Sequence, residues 1–283
     1  VDVGSDIITD LGGTSGGDSD VLIVSDGATA NVTNVKNFVA GATTTSNSSG
    51  TVNISTHADG GIVNMSAASG GYNLTGQGGV DTLSGGKGDD TINGGVNADT
   101  ISGGTGDDTL SGGADNDQMT GGDGVDTFKV DAGTDTITDL GGTAGGQTDV
   151  LIVSNGATAN ATNIANFTAG STTKNQGTAN LTTKVDGGTI DVGASVTGAY
   201  NLTGLSGNDT LKGNGNNDTI NGGSGDDTID GRGGNDIINA GAGDDTITVS
   251  TAGDANGDTI DGGDGTDTLS LASGSHSFAT NAN

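Results

Sequence analysis

Residues 76–129 read GQGGVDTLS, GGKGDDTIN, GGVNADTIS, GGTGDDTLS, GGADNDQMT and GGDGVDTFK, six nonapeptides that follow one another without a break. Aspartate fills the sixth place of every nonapeptide, and a large apolar residue fills the eighth. Glycine dominates the first, second and fourth places. A period that holds over such a length indicates a repeat architecture in which each unit stacks on its neighbours.

The same pattern returns further along the chain. A second block covers residues 204–270 and contains a single four-residue insertion, and a degenerate nonapeptide, VDAGTDTIT, covers residues 130–138. The stretch that begins at Ser5 recurs in the second half of the chain, from Thr134 onward. The chain therefore divides into two modules, residues 1–129 and 130–283, and in each module a β-rich segment precedes the repeat block.

Composition excludes an ordinary globular protein and several kinds of partner. The chain has 36 acidic residues against 7 basic ones, a net charge of -29, and every acidic residue is Asp. Phosphate backbones and anionic lipid headgroups need clustered Lys or Arg, so we expect neither nucleic acid nor a membrane surface as a partner. No apolar run is long enough to span a membrane. Because Cys is absent, disulfides and zinc-thiolate sites are excluded.

The residue types within the nonapeptide suit a calcium-binding turn followed by a short strand. Glycine permits positive φ and brings carbonyl oxygens close to an ion without a Cβ in the way. Asp is the short carboxylate of turns and hard-cation sites, and calcium takes six to eight oxygen ligands. Thr before the apolar residue suits a stacked strand with one face inward. Metal-free, the stacked carboxylates would repel one another, so we expect folding and metal binding to be one event.

The pattern GGxGxDxUx, where U is large and aliphatic, resembles the RTX calcium-binding repeats of bacterial secreted proteins. The resemblance covers residues 76–138 and 204–270, about half of the chain. It implies an all-β, right-handed parallel β-roll in which two nonapeptides make one coil. It also implies that one Ca²⁺ lies between turns n and n+2, which gives about five ions in a block of seven nonapeptides.

The sixth-place aspartates are the predicted calcium ligands, and the eighth-place residues are the predicted core. The ligand set is Asp81, Asp90, Asp99, Asp108, Asp117, Asp126 and Asp135 in the first block, Asp209, Asp218, Asp227, Asp236, Asp245, Asp258 and Asp267 in the second, and Asp6 in the opening VDVGSDIIT. The inward set is Leu83, Ile92, Ile101, Leu110, Met119, Phe128 and Ile137, with Leu211, Ile220, Ile229, Ile238, Ile247, Ile260 and Leu269. The fifth-place acids, such as Asp107, are expected to act by charge or through their carbonyls.

The segments between the blocks are less regular. VLIV at 21–24 and 150–153 predicts a strand, and the regular spacing of Met65, Leu74 and Leu83 predicts further coils without metal turns. Helix-like spacing predicts one short helix through Val32, Val35 and Phe38, and its counterpart through Ala161, Ile164 and Phe167. Residues 41–51 are a linker candidate. Asp10, Asp18, Asp20, Asp139 and Asp149 are assigned to turn capping, with added calcium sites as the alternative.

No catalytic constellation is present in the sequence. The G-x-S-x-G match at 13–17 becomes GTAGG at 142–146 in the second module, which removes the nucleophile. His57 aligns with Lys184, so the histidines belong to no repeated site. We therefore expect no enzyme in this chain. Two alternatives remain for the repeats themselves, a disordered low-complexity segment and a metal-free β-helix held by Asn and Thr ladders, and the unbroken phase argues against disorder.

Together these features predict the calcium-binding structural region of a secreted protein. Resemblance to RTX proteins implies type I export to the exterior or surface of a Gram-negative bacterium, with folding and self-assembly driven by calcium. A surface-layer lattice, adhesin stalk or biofilm-matrix fibre is the predicted role. The alternative is the RTX region of a type I-secreted enzyme or toxin whose catalytic domain lies outside residues 1–283.

Overall fold

The computed structural model of the protein describes residues 5–8, 22–40, 44–46, 51–141, 148–195, 197–249 and 257–271. These residues form β-strands and turns, with no helix among them, and the strands pair in parallel as a β-solenoid. This confirms the predicted all-β solenoid. In the same residues no helix is long and apolar enough to cross a membrane. The described residues up to Ile137 form one compact unit, unit 1, and those from Thr138 onward form a second, unit 2.

Unit 1 is built from two long sheets of parallel strands and one two-stranded sheet. In the repeat block, consecutive strands alternate between the sheets β1-β3-β6-β8-β10-β12-β14 and β4-β7-β9-β11-β13-β15, while β2 pairs with β5. The strands are β1 (Ser5–Ile8), β2 (Ile23–Val24), β3 (Thr29–Val35), β4 (Asn37–Val39), β5 (Thr45–Ser46), β6 (Thr51–Thr56), β7 (Ile62–Asn64), β8 (Asn73–Thr75), β9 (Thr82–Lys87), β10 (Thr91–Val96), β11 (Thr100–Thr105), β12 (Thr109–Ala114), β13 (Gln118–Asp123), β14 (Thr127–Val130) and β15 (Thr134–Ile137).

Unit 2 repeats this arrangement. Its sheets are β17-β20-β22-β24-β26-β28 and β18-β21-β23-β25-β27-β29, and β16 pairs with β19. The strands are β16 (Val150–Val153), β17 (Thr158–Ile164), β18 (Asn166–Thr168), β19 (Lys174–Asn175), β20 (Thr178–Thr183), β21 (Thr189–Asp191), β22 (Tyr200–Thr203), β23 (Thr210–Lys212), β24 (Thr219–Ser224), β25 (Thr228–Asp230), β26 (Ile237–Ala242), β27 (Thr246–Val249), β28 (Thr259–Asp264) and β29 (Thr268–Leu271).

One coil of the repeat blocks takes two nonapeptides. Leu110 pairs with Ile92 of the preceding coil on one side and with Phe128 of the following coil on the other. Second-place glycines form the turns at positive φ, as at Gly104 (φ 122°), where a Cβ would run into the Gly86 carbonyl of the preceding coil. Coils at the spacing of a parallel sheet therefore favour glycine at this place.

The coils ahead of the blocks are longer. Phe38 pairs with Val63, and Val63 pairs with Leu83, and both pairs lie further apart in the sequence than equivalent residues of the blocks do. Leu74 pairs with Ile92 at the regular spacing of the block. The prediction of further coils ahead of the blocks is therefore confirmed, although Leu83 stacks on Val63 rather than on Met65.

The eighth-place residues form the core as predicted, except in the last coil. From Leu83 to Ile137, and from Leu211 to Ile247, these side chains are at most 2% exposed. Ile260 is half-buried, and Leu269 is 42% exposed. These two lie in β28 and β29, each at the end of its sheet, and burial of an inward residue needs a coil on both sides.

The predicted short helices are wrong. Val32 and Val35 lie in β3 and Phe38 lies in β4, and the counterparts of the second module, Ala161, Ile164 and Phe167, lie in β17 and β18. The register of β3 shifts between Val32 and Val35, where Asn34 has a φ of 65°, so a bulge places residues three apart on the same face. VLIV at 150–153 forms β16 as predicted; of VLIV at 21–24, Ile23–Val24 forms β2 and residue 21 lies outside the described residues. Of the linker candidate, Thr45–Ser46 forms β5 and Thr51 opens β6, while 41–43 and 47–50 lie outside the described residues.

Candidate calcium sites at the turns

The sixth-place aspartates form ladders along the coils. The main-chain N–H of Asp90 donates to Oδ1 of Asp108 at 2.7 Å, and the N–H of Asp108 donates to Oδ1 of Asp126 at 2.9 Å. The same bond links Asp81 to Asp99, Asp99 to Asp117, Asp117 to Asp135, Asp209 to Asp227, Asp218 to Asp236, Asp227 to Asp245, Asp236 to Asp258 and Asp245 to Asp267. Each accepting carboxylate is thereby fixed by its Oδ1 atom.

The second oxygen of most of these carboxylates is buried and accepts no hydrogen bond. This holds for Oδ2 of Asp81, Asp90, Asp99, Asp108, Asp117, Asp135, Asp209, Asp227 and Asp245. A buried, unsatisfied charged oxygen costs several kcal/mol, on the order of the desolvation of the group. Each of these oxygens therefore needs either a proton or a cation.

Main-chain carbonyls lie next to the unsatisfied oxygens. A Cβ built at Gly94 would be 2.5 Å from Oδ2 of Asp99 and 2.5 Å from the carbonyl oxygen of Gly112 in the next coil. Gly103 stands in the same relation to Asp108 and Gly121. Carboxylate and carbonyl oxygens around a space that a methyl group would fill are the hard donors that calcium takes. In the described part of the chain no three His, Cys, Asp or Glu side chains group as a metal site, so an ion here depends on carbonyl ligands.

Burial changes the acidity of these aspartates. It raises the pKa of Asp90 to about 8 and the pKa of Asp99 to about 7. The hydrogen bond from the main chain of the preceding coil offsets part of this rise, while neighbouring carboxylates, including Asp108 beside Asp90 and Asp117 beside Asp99, add to it. Burial also raises the pKa of Asp108 to about 6 and the pKa of Asp135 to about 7. The carboxyl groups of the ladder therefore lose their protons less readily than exposed Asp side chains do, unless a cation is present.

We expect the calcium-free fold to lose stability as the pH rises from about 4 to about 8. The pKa values of these aspartates are higher in the folded chain than in the unfolded chain, so the folded chain binds more protons in this pH window. The free energy of unfolding therefore falls as these protons are released. As the proton is lost as an alternative partner of Oδ2, folding depends more on calcium, so the calcium concentration at half-folding should rise over the same pH range. Circular dichroism titrations at pH 5.5, 6.5, 7.5 and 8.5 measure both trends, and a midpoint that does not vary with pH would contradict this assignment.

The structure places the predicted ligands in one repeated position, with exceptions at the ends. Those from Asp81 to Asp135 and from Asp209 to Asp245 are at most 2% exposed. Asp258 is half-buried and Asp267 is exposed, because both belong to the last coil. Asp6 lies in β1 beside Ala30 of β3, and its side chain is outside the described set.

The fifth-place acids form a second ladder that the sequence reasoning missed. The N–H of Asp107 donates to Oδ1 of Asp89 at 2.9 Å, and the N–H of Val125 donates to Oδ1 of Asp107 at 2.8 Å. In unit 2 the N–H of Asp226 donates to Oδ1 of Asn208 at 3.0 Å. The side chains of this ladder are exposed, and Asn can take the place of Asp in it. The interchange of the two residues at the fifth place was its signal in the sequence.

The longer coils carry neutral ladders instead. Nδ2 of Asn53 donates to Oδ1 of Asn31 at 2.8 Å, and Nδ2 of Asn73 donates to Oδ1 of Asn53 at 2.8 Å. Unit 2 repeats this ladder through Asn160, Asn180 and Asn201. The metal-free Asn ladder that was an alternative for the whole chain therefore occurs in the coils outside the repeat blocks.

Two groups of less regular residues can also be placed. Asn97 and Asp115, which replace fourth-place glycines, adopt φ of 75° and 77°, as expected of residues that tolerate the left-handed region. Oδ2 of Asp149 accepts the N–H of Gly141 at 2.7 Å, which is the turn capping assigned to it. Of the other acids assigned to turn capping, Asp10, Asp18 and Asp20 lie outside the described residues, and for Asp139 the assignment stays a prediction.

Comparison with known proteins gives one match. The family model described as the RTX calcium-binding nonapeptide repeat (4 copies) matches residues 75–110, 102–137, 201–229, 213–247 and 252–275. These ranges coincide with the two blocks that carry the aspartate ladders. No curated protein and no solved structure matches the chain.

Proposed function

Because the chain belongs, through its matched repeats, to the RTX calcium-binding family, we propose that it is the calcium-binding structural region of a secreted bacterial surface protein. The observation that carries this proposal is the row of buried Oδ2 atoms without hydrogen-bond partners. Main-chain carbonyls of the next coil lie beside these atoms, so the ligands of one coil recur in the next. A chain built in this way responds to calcium along its whole repeat block.

The residues that would hold the ions are the buried sixth-place aspartates and the carbonyls of the turns above and below them. Bound calcium neutralises the buried carboxylates and supplies the cation that Oδ2 lacks. The chain itself fixes each Oδ1 by a main-chain hydrogen bond and keeps side chains out of the space by glycine. We propose about five ions for each block of seven nonapeptides.

Coupling of folding to calcium suits export. In a compartment where calcium is scarce, a chain with a net charge of -29 remains extended. Outside the cell, where calcium is about millimolar, sites of extracellular affinity fill and the coils form. We therefore propose type I secretion to the exterior or surface of a Gram-negative bacterium, and a structural rather than a catalytic role.

We further propose that the protein assembles with copies of itself into a surface-layer lattice, an adhesin stalk or a matrix fibre. The exposed acids of the fifth-place ladder, such as Asp107, support this, because calcium can bridge carboxylates of neighbouring molecules. The alternative role is the RTX region of a secreted enzyme or toxin.

Electron microscopy of the full-length protein, purified and on cells, tests the assembly. In millimolar calcium we expect ordered sheets or filaments, and in magnesium we expect few or none, because magnesium demands a tighter octahedral shell. A monodisperse monomer under every calcium condition would favour the enzyme or toxin alternative. A protease, lipase or toxin domain in the remainder of the protein would have the same effect.

A further inference from the structure

One turn of unit 2 differs from the sixth-place sites in which Oδ2 has no hydrogen-bond partner. Oδ1 of Asp218 accepts the N–H of Tyr200 at 2.7 Å, and its Oδ2 accepts the N–H of Asn214 at 2.7 Å. Both oxygens of this carboxylate are therefore satisfied by the main chain. At the equivalent turn of unit 1, Oδ1 of Asp90 accepts the N–H of Tyr72 at 2.7 Å, but its Oδ2 has no partner.

Asn214 ties this turn to the coil before it. Its side-chain amide donates to the carbonyl of Gly198 at 3.0 Å and to that of Ser195 at 3.2 Å. Its Oδ1 accepts the N–H of Asn216 at 2.8 Å. The consensus residue at this second place is glycine, whose lack of a side chain precludes all three bonds. The turn is thus held by protein groups, whereas the equivalent turn of unit 1 leaves Oδ2 of Asp90 unsatisfied.

The guanidinium group of Arg232 contacts the same turn. Nη1 of Arg232 donates to the carbonyl of Gly213 at 3.0 Å, which is the first-place carbonyl of the turn. The guanidinium also forms a bidentate ion pair with the carboxylate of Asp191, with Nη1 at 2.9 Å from Oδ1 and Nη2 at 3.0 Å from Oδ2. The side chains of both partners are largely covered, 31% and 22% exposed. A bidentate, half-buried pair of this kind holds its geometry better than a surface pair.

The surrounding residues are adapted to this arginine. Arg232 adopts a φ of 69°, in a place where glycine is the consensus. A Cβ at Gly193 would overlap the guanidinium. In unit 1 the strand that corresponds to β21 is β7, which ends at Asn64 where β21 ends at Asp191. By this correspondence, unit 1 has Asn64, Ser66 and Gly104 where unit 2 has Asp191, Gly193 and Arg232, so it lacks the whole arrangement.

We propose that Arg232 is an internal cation that takes the place of a calcium ion beside the Gly213 carbonyl, on the side of turn 213–218 that faces Asp191 and Gly193. The proposal rests on the proposed function, because it assumes that the other turns bind calcium. At this turn the residues do not fit an ion. Both oxygens of Asp218 are already used, and the Gly213 carbonyl and the nearby Asp191 are engaged by the guanidinium. Unit 2 therefore has one turn that forms without metal.

Counting bound calcium on the full chain tests this, by equilibrium dialysis or native mass spectrometry. Arg232→Gly restores the consensus residue and frees the Gly213 carbonyl and Asp191, so we expect one more bound ion per chain than in the wild type. Leu205→Gly is the matched control, because it restores glycine at the second place of another turn, where the replaced side chain is exposed and carries no charge. Its ion count should equal that of the wild type.

A measurement on the wild type keeps the test decisive if Arg232→Gly fails to fold. Crystals grown in calcium should show no anomalous peak beside the Gly213 carbonyl or beside Oδ2 of Asp218. The equivalent place in unit 1, between turns 85–90 and 103–108, should show one, because Oδ2 of Asp90 has no partner there.

The outcomes separate this inference from the proposed function. A wild-type chain that binds no calcium would defeat the proposed function itself. A wild-type chain that binds calcium, with an unchanged ion count in a folded Arg232→Gly variant, would defeat the inference alone and make Arg232 an ordinary ion pair. A calcium peak beside the Gly213 carbonyl in the wild type, or an equal gain of ions in Leu205→Gly, would have the same meaning.

Discussion

In EDTA at neutral pH we expect the full chain to lose most of its β-sheet signal, and calcium should restore that signal cooperatively. The physical reason is the set of buried Oδ2 atoms, each of which costs free energy while it has neither proton nor cation. The core that opposes this cost is thin, because aromatic residues make up 2% of the chain and each coil contributes two eighth-place side chains. Far-ultraviolet circular dichroism during a calcium titration measures the effect.

Magnesium at the same ionic strength is the control for simple screening of charge. It should restore much less of the signal, because the ladder offers oxygens in a wide cage rather than an octahedron. Retention of the full β signal in EDTA at pH 7.5 would refute the coupling of folding to calcium. Equal recovery in both ions would show that total charge governs the response.

Replacing Gly103 by Ala should weaken calcium-driven folding strongly. A Cβ at this position would overlap Oδ2 of Asp108 and lie 2.7 Å from the carbonyl oxygen of Gly121. The methyl group therefore occupies the space between two of the proposed ligands. We expect the calcium midpoint to rise by at least about tenfold, which corresponds to about 1.4 kcal/mol. The titration monitored by circular dichroism measures this shift.

Gly215→Ala is the matched control for this substitution. Gly215 also lies in a repeat turn, but a Cβ there meets nothing within 4 Å. Alanine lowers the entropy of the unfolded chain, so this variant should fold at the same calcium concentration as the wild type or at a slightly lower one. If both variants shift the midpoint equally, the effect belongs to glycine in turns generally and not to an ion space.

The repeat blocks could be predicted from the sequence because one short pattern determines both their fold and their core. Glycine at the turn, Asp at the sixth place and an apolar residue at the eighth leave few ways to stack each nonapeptide. Leu110 between Ile92 and Phe128 is the predicted result. The prediction was less accurate at the last coil, since the burial of Leu269 depends on a following coil that sequence periodicity does not reveal.

The segments ahead of the blocks were harder, because their apolar spacing has two structural meanings. Val32, Val35 and Phe38 are three apart, which suits a helix but also suits a bulged strand followed by a turn. The left-handed φ of Asn34 decides between them, and Asn adopts that region with little strain. Parallel pairing of Phe38 with the distant Val63 then fixes the coil, and no local pattern encodes that separation.

The candidate site was predicted residue by residue but not contact by contact. The sixth-place aspartates were identified from their period alone. That Oδ1 accepts a main-chain hydrogen bond while Oδ2 is left without one becomes visible only when the coils are stacked. The fork between Arg232 and Asp191 joins residues 41 apart, outside any repeat period. Such contacts follow from the three-dimensional stacking of coils, which the sequence pattern does not determine in detail.

The central claim is that the buried Oδ2 atoms are calcium ligands, and anomalous X-ray diffraction from crystals grown in calcium tests it most directly. The account predicts anomalous peaks about 2.3–2.6 Å from Oδ2 of sixth-place aspartates such as Asp99 and Asp108, and none at the turn crossed by Arg232. Peaks confined to the exposed fifth-place acids, with the Oδ2 atoms of Asp99 and Asp108 still free of metal, would contradict it.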